Sequence, residues 1–356
     1  MATINLRAFT VLVVDQDDAH RWMIHNLLQA LGVGEVLTAT SNDDAHALLK
    51  RLARKPVSER IDTVDFMICN MFEAALNGIE LLRWVRMHRD SPNRFLPVIL
   101  MAGGFKPEEI ASARAYGATH FLIKPVAVDV LVDRILTLIN RPRPFVYNTR
   151  YFGPDRRGNA REVPEDRRDT DPADVRVDRS PLVTALERFP NDSVIRIFRP
   201  PNHLKRKAGG AGEEDALFTE GAVFKAERAL EKSKGDYLGT ALDYVDSLRR
   251  IMSEGQAVAD KSEHFLRIHA VAKQLGLQGE TFGYPLVTTI GNSLMRFAGS
   301  GLPNNAAGVE LVRVHIDSLN AVLKNQISGD GGDIGRELVS ELQAAIRKIT
   351  GAAAAG

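Results

Sequence analysis

Five residues in the first 124 of the chain stand where apolar runs stop. Asp15 and Gln16 follow Phe9–Val14, Asn70 follows Val64–Cys69, Ala102 follows Pro97–Met101 and Lys124 follows Thr119–Ile123. Together they offer one carboxylate, two neutral amides, a methyl group and an ammonium. Further along, Arg156, Arg157, Arg161, Arg167 and Arg168 form a basic cluster. Arg157 and Arg161 are four apart, a spacing that can fork onto phosphate. Other signals are weaker. Gly103-Gly104 lacks the lysine and hydroxyl of a phosphate loop. His264 and His269 are five apart and do not share a helix face, so no metal site is expected. The single cysteine, Cys69, excludes an intramolecular disulfide and reads as an inert core thiol.

The elements that must position these residues alternate. The apolar runs, with Val36–Thr40, read as five strands. Asp17 can cap a helix whose stripe is Ile24, Leu27, Leu28 and Leu31. Helices are predicted over Asp43–Leu52, Gly78–His88, Pro107–Tyr116 and Val128–Ile139. Largely apolar strands joined by crossover helices mean a parallel sheet covered on both faces, with ligands at the C-terminal strand ends. From about residue 140 the composition shifts. Nine of the 16 prolines lie between Pro142 and Pro201, and ten arginines fall in 141–179. With neither helical nor strand period, 141–219 reads as a Pro/Arg-rich linker, largely extended or disordered, with one short strand at Val194–Phe198. Over 220–350 five helical stripes follow: Leu238–Met252, Phe265–Leu275, Val287–Phe297, Val312–Leu323 and Leu338–Ile349. Short connections predict an antiparallel bundle.

The landmarks Val11-Leu-Val-Val-Asp15, Gly78 eight residues after Asn70, and Phe121-Leu-Ile-Lys124-Pro125 resemble the CheY-like receiver domain of two-component response regulators. The resemblance spans about residues 9–140 and implies a five-stranded, doubly wound, flavodoxin-like sheet. In that family two adjacent acidic residues hold Mg²⁺, an aspartate takes a phosphoryl group, a Thr or Ser bonds it and a lysine pairs with it. Asp15 matches the first acidic residue, and Gln16 stands in place of the second. Asn70 stands at the phosphoacceptor position and Ala102 where the hydroxyl belongs. Lys124 is retained, Phe121 occupies the place of the mobile aromatic, and Glu73-Ala74 replaces the usual Met-Pro. An amide is not a competent nucleophile for phosphoryl transfer, and Mg²⁺ prefers octahedral oxygen ligands with carboxylate charge. The expectation is a pseudo-receiver without cofactor or metal, with Lys124 paired to Asp15. Asp17 or Asp18 could serve as an unconventional acceptor, though both read as helix-cap residues.

The segment Phe265–Phe297 is similar to a histidine phosphotransfer (HPt) domain. Phe282-Gly283 supplies the family's Phe-Gly pair, and counting back places Lys273 at the histidine position, Gly276 at the lysine and Leu277 at the glycine. His269 lies one turn earlier and could be a displaced acceptor; the plainer reading is an edge histidine.

A net charge of +1, from 46 basic and 45 acidic residues, argues against nucleic acid, as do the aspartates among the arginines. No apolar run approaches the roughly 20 residues of a spanning helix, and no leader is evident, so a cytoplasmic protein without membrane insertion is expected. The leading reading is a non-enzymatic signalling adaptor. Its expected partner is a histidine kinase or another response regulator, or the receiver binds the protein's own bundle. Two alternatives stay open: an active phosphorelay protein using His269, and a regulator whose Arg-rich linker binds a nucleotide (the RxxxR spacing occurs in cyclic-dinucleotide binders) or nucleic acid.

Overall fold

The computed structural model describes the chain except for residues 1, 54–63, 74–75, 149–150, 157–174, 179–194, 211–213, 256–259, 300–305 and 354–356. It divides into two compact units, Met1–Leu230 and Glu231–Gly356.

The first unit holds the expected alternation: β1 (Thr10–Val14), α1 (Asp18–Ala30), β2 (Glu35–Ala39), α2 (Asn42–Ala53), β3 (Phe66–Asn70), α3 (Gly78–Met87), β4 (Val98–Ala102), α4 (Pro107–Ala115), β5 (His120–Ile123) and α5 (Val128–Asn140). The strands are parallel in the order β2-β1-β3-β4-β5. Every residue of β1, β3 and β4 is buried, as a sheet covered on both faces requires. The order reverses direction between β1 and β3, so a crevice opens at their C-terminal ends.

The 141–219 segment departs from expectation. Its described residues carry β6 (Phe145–Asn148), β7 (Tyr151–Pro154), β8 (Val175–Asp178) and β9 (Ile195–Phe198), a second sheet in the order β7-β6-β9-β8. Only β9 was legible. The reason for the order is apolar: Phe145, Tyr147, Phe152 and Phe198 cluster with Phe95 in a small second core. Phe95 meets the rings of Phe145 and Phe152 at 4.6 and 4.9 Å. Arg86 of α3 is 1% exposed. Its guanidinium donates to Gly117 O at 3.1 and 3.0 Å, Arg94 O at 2.9 Å and Leu96 O at 2.7 Å, with the Phe145 ring 5.3 Å away. Beyond β9, α6 (His203–Lys207) is tied back to the first sheet by Lys207 Nζ–Asp65 Oδ2 at 2.7 Å. Asn140 exchanges two 2.9 Å hydrogen bonds with the backbone of Ala216, and Ala2–Thr3 pairs in parallel with Ala216–Leu217.

The second unit is helical. It takes the C-terminal part of α7 (Glu220–Gly255), then α8 (Ser262–Gln278), α9 (Pro285–Gly299), α10 (Ala306–Lys324) and α11 (Gly332–Ala353). The unit boundary therefore falls inside a helix, not in a loop. Four of the five expected stripes are buried, at Ala241, Val245 and Leu248, Phe265, Ile268, Ala272 and Leu275, Val287, Ile290 and Leu294, Val312, Ile316, Leu319 and Leu323; of the fifth, Leu342 is buried and Leu338 and Ala345 are half-buried. On α7 the buried face is rotated, with Tyr237 inside and stacked on Phe282 at 4.5 Å. Helices α8 and α9 approach so closely that a Cβ on Gly291 would stand 2.7 Å from Gly276 N. Buried His315 donates from Nδ1 to Leu311 O at 2.7 Å and accepts from Ser293 Oγ at 3.0 Å on Nε2, a fully satisfied core histidine. Among the described residues no helix is long and apolar enough to cross a membrane.

Candidate functional site

Three strand ends of the first sheet converge on one carboxylate. β1 delivers Asp15, fully buried, with its N–H bonded to Ala39 O of β2 at 3.1 Å. Asp17 then starts α1: its carboxylate caps the helix by accepting from His20 N at 2.6 Å, as its spacing predicts. That first turn carries the His20 side chain back onto Asp15, where Nδ1–H donates to Oδ2. β5 delivers Lys124, whose Nζ lies 3.2 Å from the same Oδ2; a cis peptide bond to Pro125 follows. β3 delivers Asn70, whose Nδ2 lies 3.4 Å from Asp15 Oδ1 and whose Oδ1 accepts from Met71 N at 3.0 Å. Asp17 N also donates to Asp15 Oδ1, at 3.0 Å. Gly78 fits beneath this turn because a Cβ there would meet Asn70 O at 2.4 Å, and Asn77 caps α3.

The electrostatics follow from these contacts. Burial pushes the Asp15 carboxyl up, but the His20 hydrogen bond, the Lys124 ammonium and the Asp17 N–H outweigh burial and bring it down to about 2. Burial and then Lys124 hold His20 below its ordinary 6.5 against the pull of Asp15, so the ring is the neutral Nδ1–H form.

Ala102 is buried and presents only a methyl, while its carbonyl accepts from Lys124 N at 2.8 Å. Gln16 is half-buried beside Asp15. Phe121 is half-buried too, its ring edge-on to Phe105 at 5.2 Å. Asp15, Asn70 and Lys124 are thus brought into contact as the spacing implies, and His20 joins them unannounced. A signal for it existed: His20 stands four residues before Ile24, on the apolar stripe continued backwards.

Residues 11–136 match the response regulator receiver domain. The chemotaxis protein CheY of Pseudomonas aeruginosa is 30% identical over 131 residues, 37% of this chain and 96% of that protein. The chain belongs to the response regulator receiver family. The receiver domain is also similar to part of the sensory/regulatory protein RpfC of Xanthomonas campestris, 28% identical over 133 residues, 37% of this chain; the chain spans only 17% of RpfC's length. A solved structure of CheY4 from Vibrio cholerae aligns with 29% identity over 35% of this chain and 93% of that one, at a TM-score of 0.30.

Receivers of this family imply a Mg²⁺ ion, and this receiver's residues do not fit one. Both oxygens of its one pocket carboxylate already accept two donors each. Asn70 turns its own oxygen to Met71 N, and the neighbouring amide of Gln16 carries no charge. The described residues include no cluster of three or more His, Cys, Asp or Glu able to hold a metal.

The remaining candidates lie elsewhere. Lys273 is exposed on α8. His269, half-buried one turn earlier, gives its Nδ1 to Met295 O at 2.8 Å. Arg156 stacks its guanidinium 3.9 Å from the Tyr151 ring and donates to Ala115 O at 3.2 Å, a structural engagement. Arg157, Arg161, Arg167, Arg168 and Ala74 lie outside the described residues.

Proposed function

We propose that this protein is a two-component signalling adaptor whose receiver is a pseudo-receiver: it takes no phosphoryl group, binds no Mg²⁺ and acts by binding partners rather than by catalysis. The observation that carries this is Asn70 at the acceptor position with its amide turned to Asp15, in a pocket where Lys124 pairs with that same carboxylate. Phosphoryl transfer needs an anionic oxygen nucleophile and a cation over the equatorial oxygens; the acceptor position offers only an amide, and the pocket's one carboxylate and its lysine are engaged with each other. The face for a histidine kinase or an authentic response regulator is α4, β5 and α5, where Tyr116, Ile123 and Val130 are exposed apolar side chains. The helical unit is read as an HPt-like module without its histidine, Lys273 standing in that place.

The test is incubation of the full chain with acetyl phosphate and Mg²⁺, followed by intact mass spectrometry. No added phosphoryl group is expected. An acyl-phosphate on the receiver overturns the reading, and phosphate transferred to His269 from a phosphorylated response regulator replaces it with an active relay.

A further inference from the structure

We propose that His20 occupies the working place of the divalent cation, as a second lock on the pocket that is independent of the lost acidic residues. This rests on the pseudo-receiver reading and goes further, because it assigns a role to a residue outside the family's site.

An ionised carboxylate offers about four acceptor positions. On Asp15 they are taken by Asp17 N–H and the Asn70 amide on Oδ1, and by Lys124 and His20 on Oδ2. Lys124 alone would not close the site to an ion, since a lysine on a flexible stem can swing aside. The imidazole cannot. It is fully buried, its backbone N–H is held by the Asp17 cap at 2.6 Å, and its helix is anchored by Arg21 Nη1 on Asp15 O at 2.6 Å. Its Nε2 is buried with no hydrogen-bond partner among the described residues, as fits a ring that spends its one proton on Asp15. Mg²⁺ needs ligand oxygens at about 2.0–2.1 Å in octahedral array, and His20 stands against the oxygen that would have to supply one.

The consequence is specific. Replacing Gln16 and Asn70 by aspartate restores the acidic charge but leaves Asp15 engaged by His20, so it will not restore the ion. Mg²⁺ is titrated calorimetrically into the full chain as wild type, as Gln16→Asp/Asn70→Asp, and as that variant with His20→Met. The expected result is no detectable binding by the first two, and binding by the third at least about tenfold tighter than the detection limit. Equal affinity in the second and third overturns the role of His20 and leaves the pseudo-receiver reading standing. Binding by the wild type overturns both. A measurement on unaltered protein guards against misfolded variants. With ¹⁵N-histidine labelling, His20 should show the neutral Nδ1–H tautomer, unchanged by added Mg²⁺; a Mg²⁺-dependent change at His20 overturns the proposal.

Discussion

Asp15 is a buried carboxylate whose surroundings favour the charged form. Its folded-state titration lies near 2 against an ordinary 3.8. The unfolded chain therefore binds a proton more readily, and the contribution is complete above about pH 4 and lost as pH falls toward 2. It is worth on the order of 2 kcal/mol. Denaturant titrations should show wild type more stable than Asp15→Asn at pH 5, with the gap narrowed to about a third by pH 2.5. His20 works in a higher window. Buried neutral, it titrates below 6.5 in the fold, so the unfolded state takes up its proton first and stability falls as pH drops below 6.5. His20→Met should remove its share of that slope, leaving those of His120, buried His315, His46 and His203, which also titrate below 6.5 in the fold. Gln16, Asn70 and Ala102 were legible as strand-end positions because each follows an apolar run. His20 was not, because a histidine beside an apolar stripe carries no mark of which carboxylate it will meet.

The strands and helices of the receiver were legible to within one or two residues, since burial on both sheet faces leaves unbroken apolar runs. The second sheet, β9 apart, was not. Its strands are four residues long, too short for a period to show, and prolines and arginines dilute their aromatics. Arg86 escaped for a related reason: a charge on a helix reads as solvent-facing, and only the carbonyls of Arg94, Leu96 and Gly117 make its burial tolerable. Arg86→Met should cost about 3 kcal/mol in urea unfolding, by stranding those carbonyls. Glycines give the contrast at element scale. A methyl on Gly291 would run into the backbone of α8, so Gly291→Ala should lower stability by about 1–3 kcal/mol. Gly239 is exposed within α7 with nothing near its missing Cβ, and Gly239→Ala should raise stability by about 0.5–1 kcal/mol. Thermal melts of the two variants should move in opposite directions.

At the scale of the molecule, the first unit is larger than its family match. Residues beyond α5 supply Phe145, Phe152 and Phe198 around Phe95, and Lys207 for Asp65, whose side chain is 8% exposed. Burial raises the Asp65 carboxyl despite that partner. A fragment ending at Asn140 leaves Asp65 unpaired and Phe95 uncovered, so its urea midpoint should fall below that of residues 1–230, and Lys207→Met in the longer chain should reproduce part of the loss.

The pairing of Ala2–Thr3 with Ala216–Leu217 brings positions more than two hundred residues apart in the chain side by side. Ile4 N adds a 2.9 Å hydrogen bond to Leu217 O, and Asn5 N reaches Ala208 O at 3.0 Å. The backbone of this unit is in effect a closed ring, and a ring opened once does not fall into two. A protease site inserted at Arg161 lies between halves that grip each other through the Phe95 cluster, the Asp65–Lys207 pair and the terminal strands. Cleavage there should yield two bands on a denaturing gel and one peak on native gel filtration. By the same closure, a circular permutant that joins Leu217 to Ala2 through a short linker and opens at Arg161 should still fold.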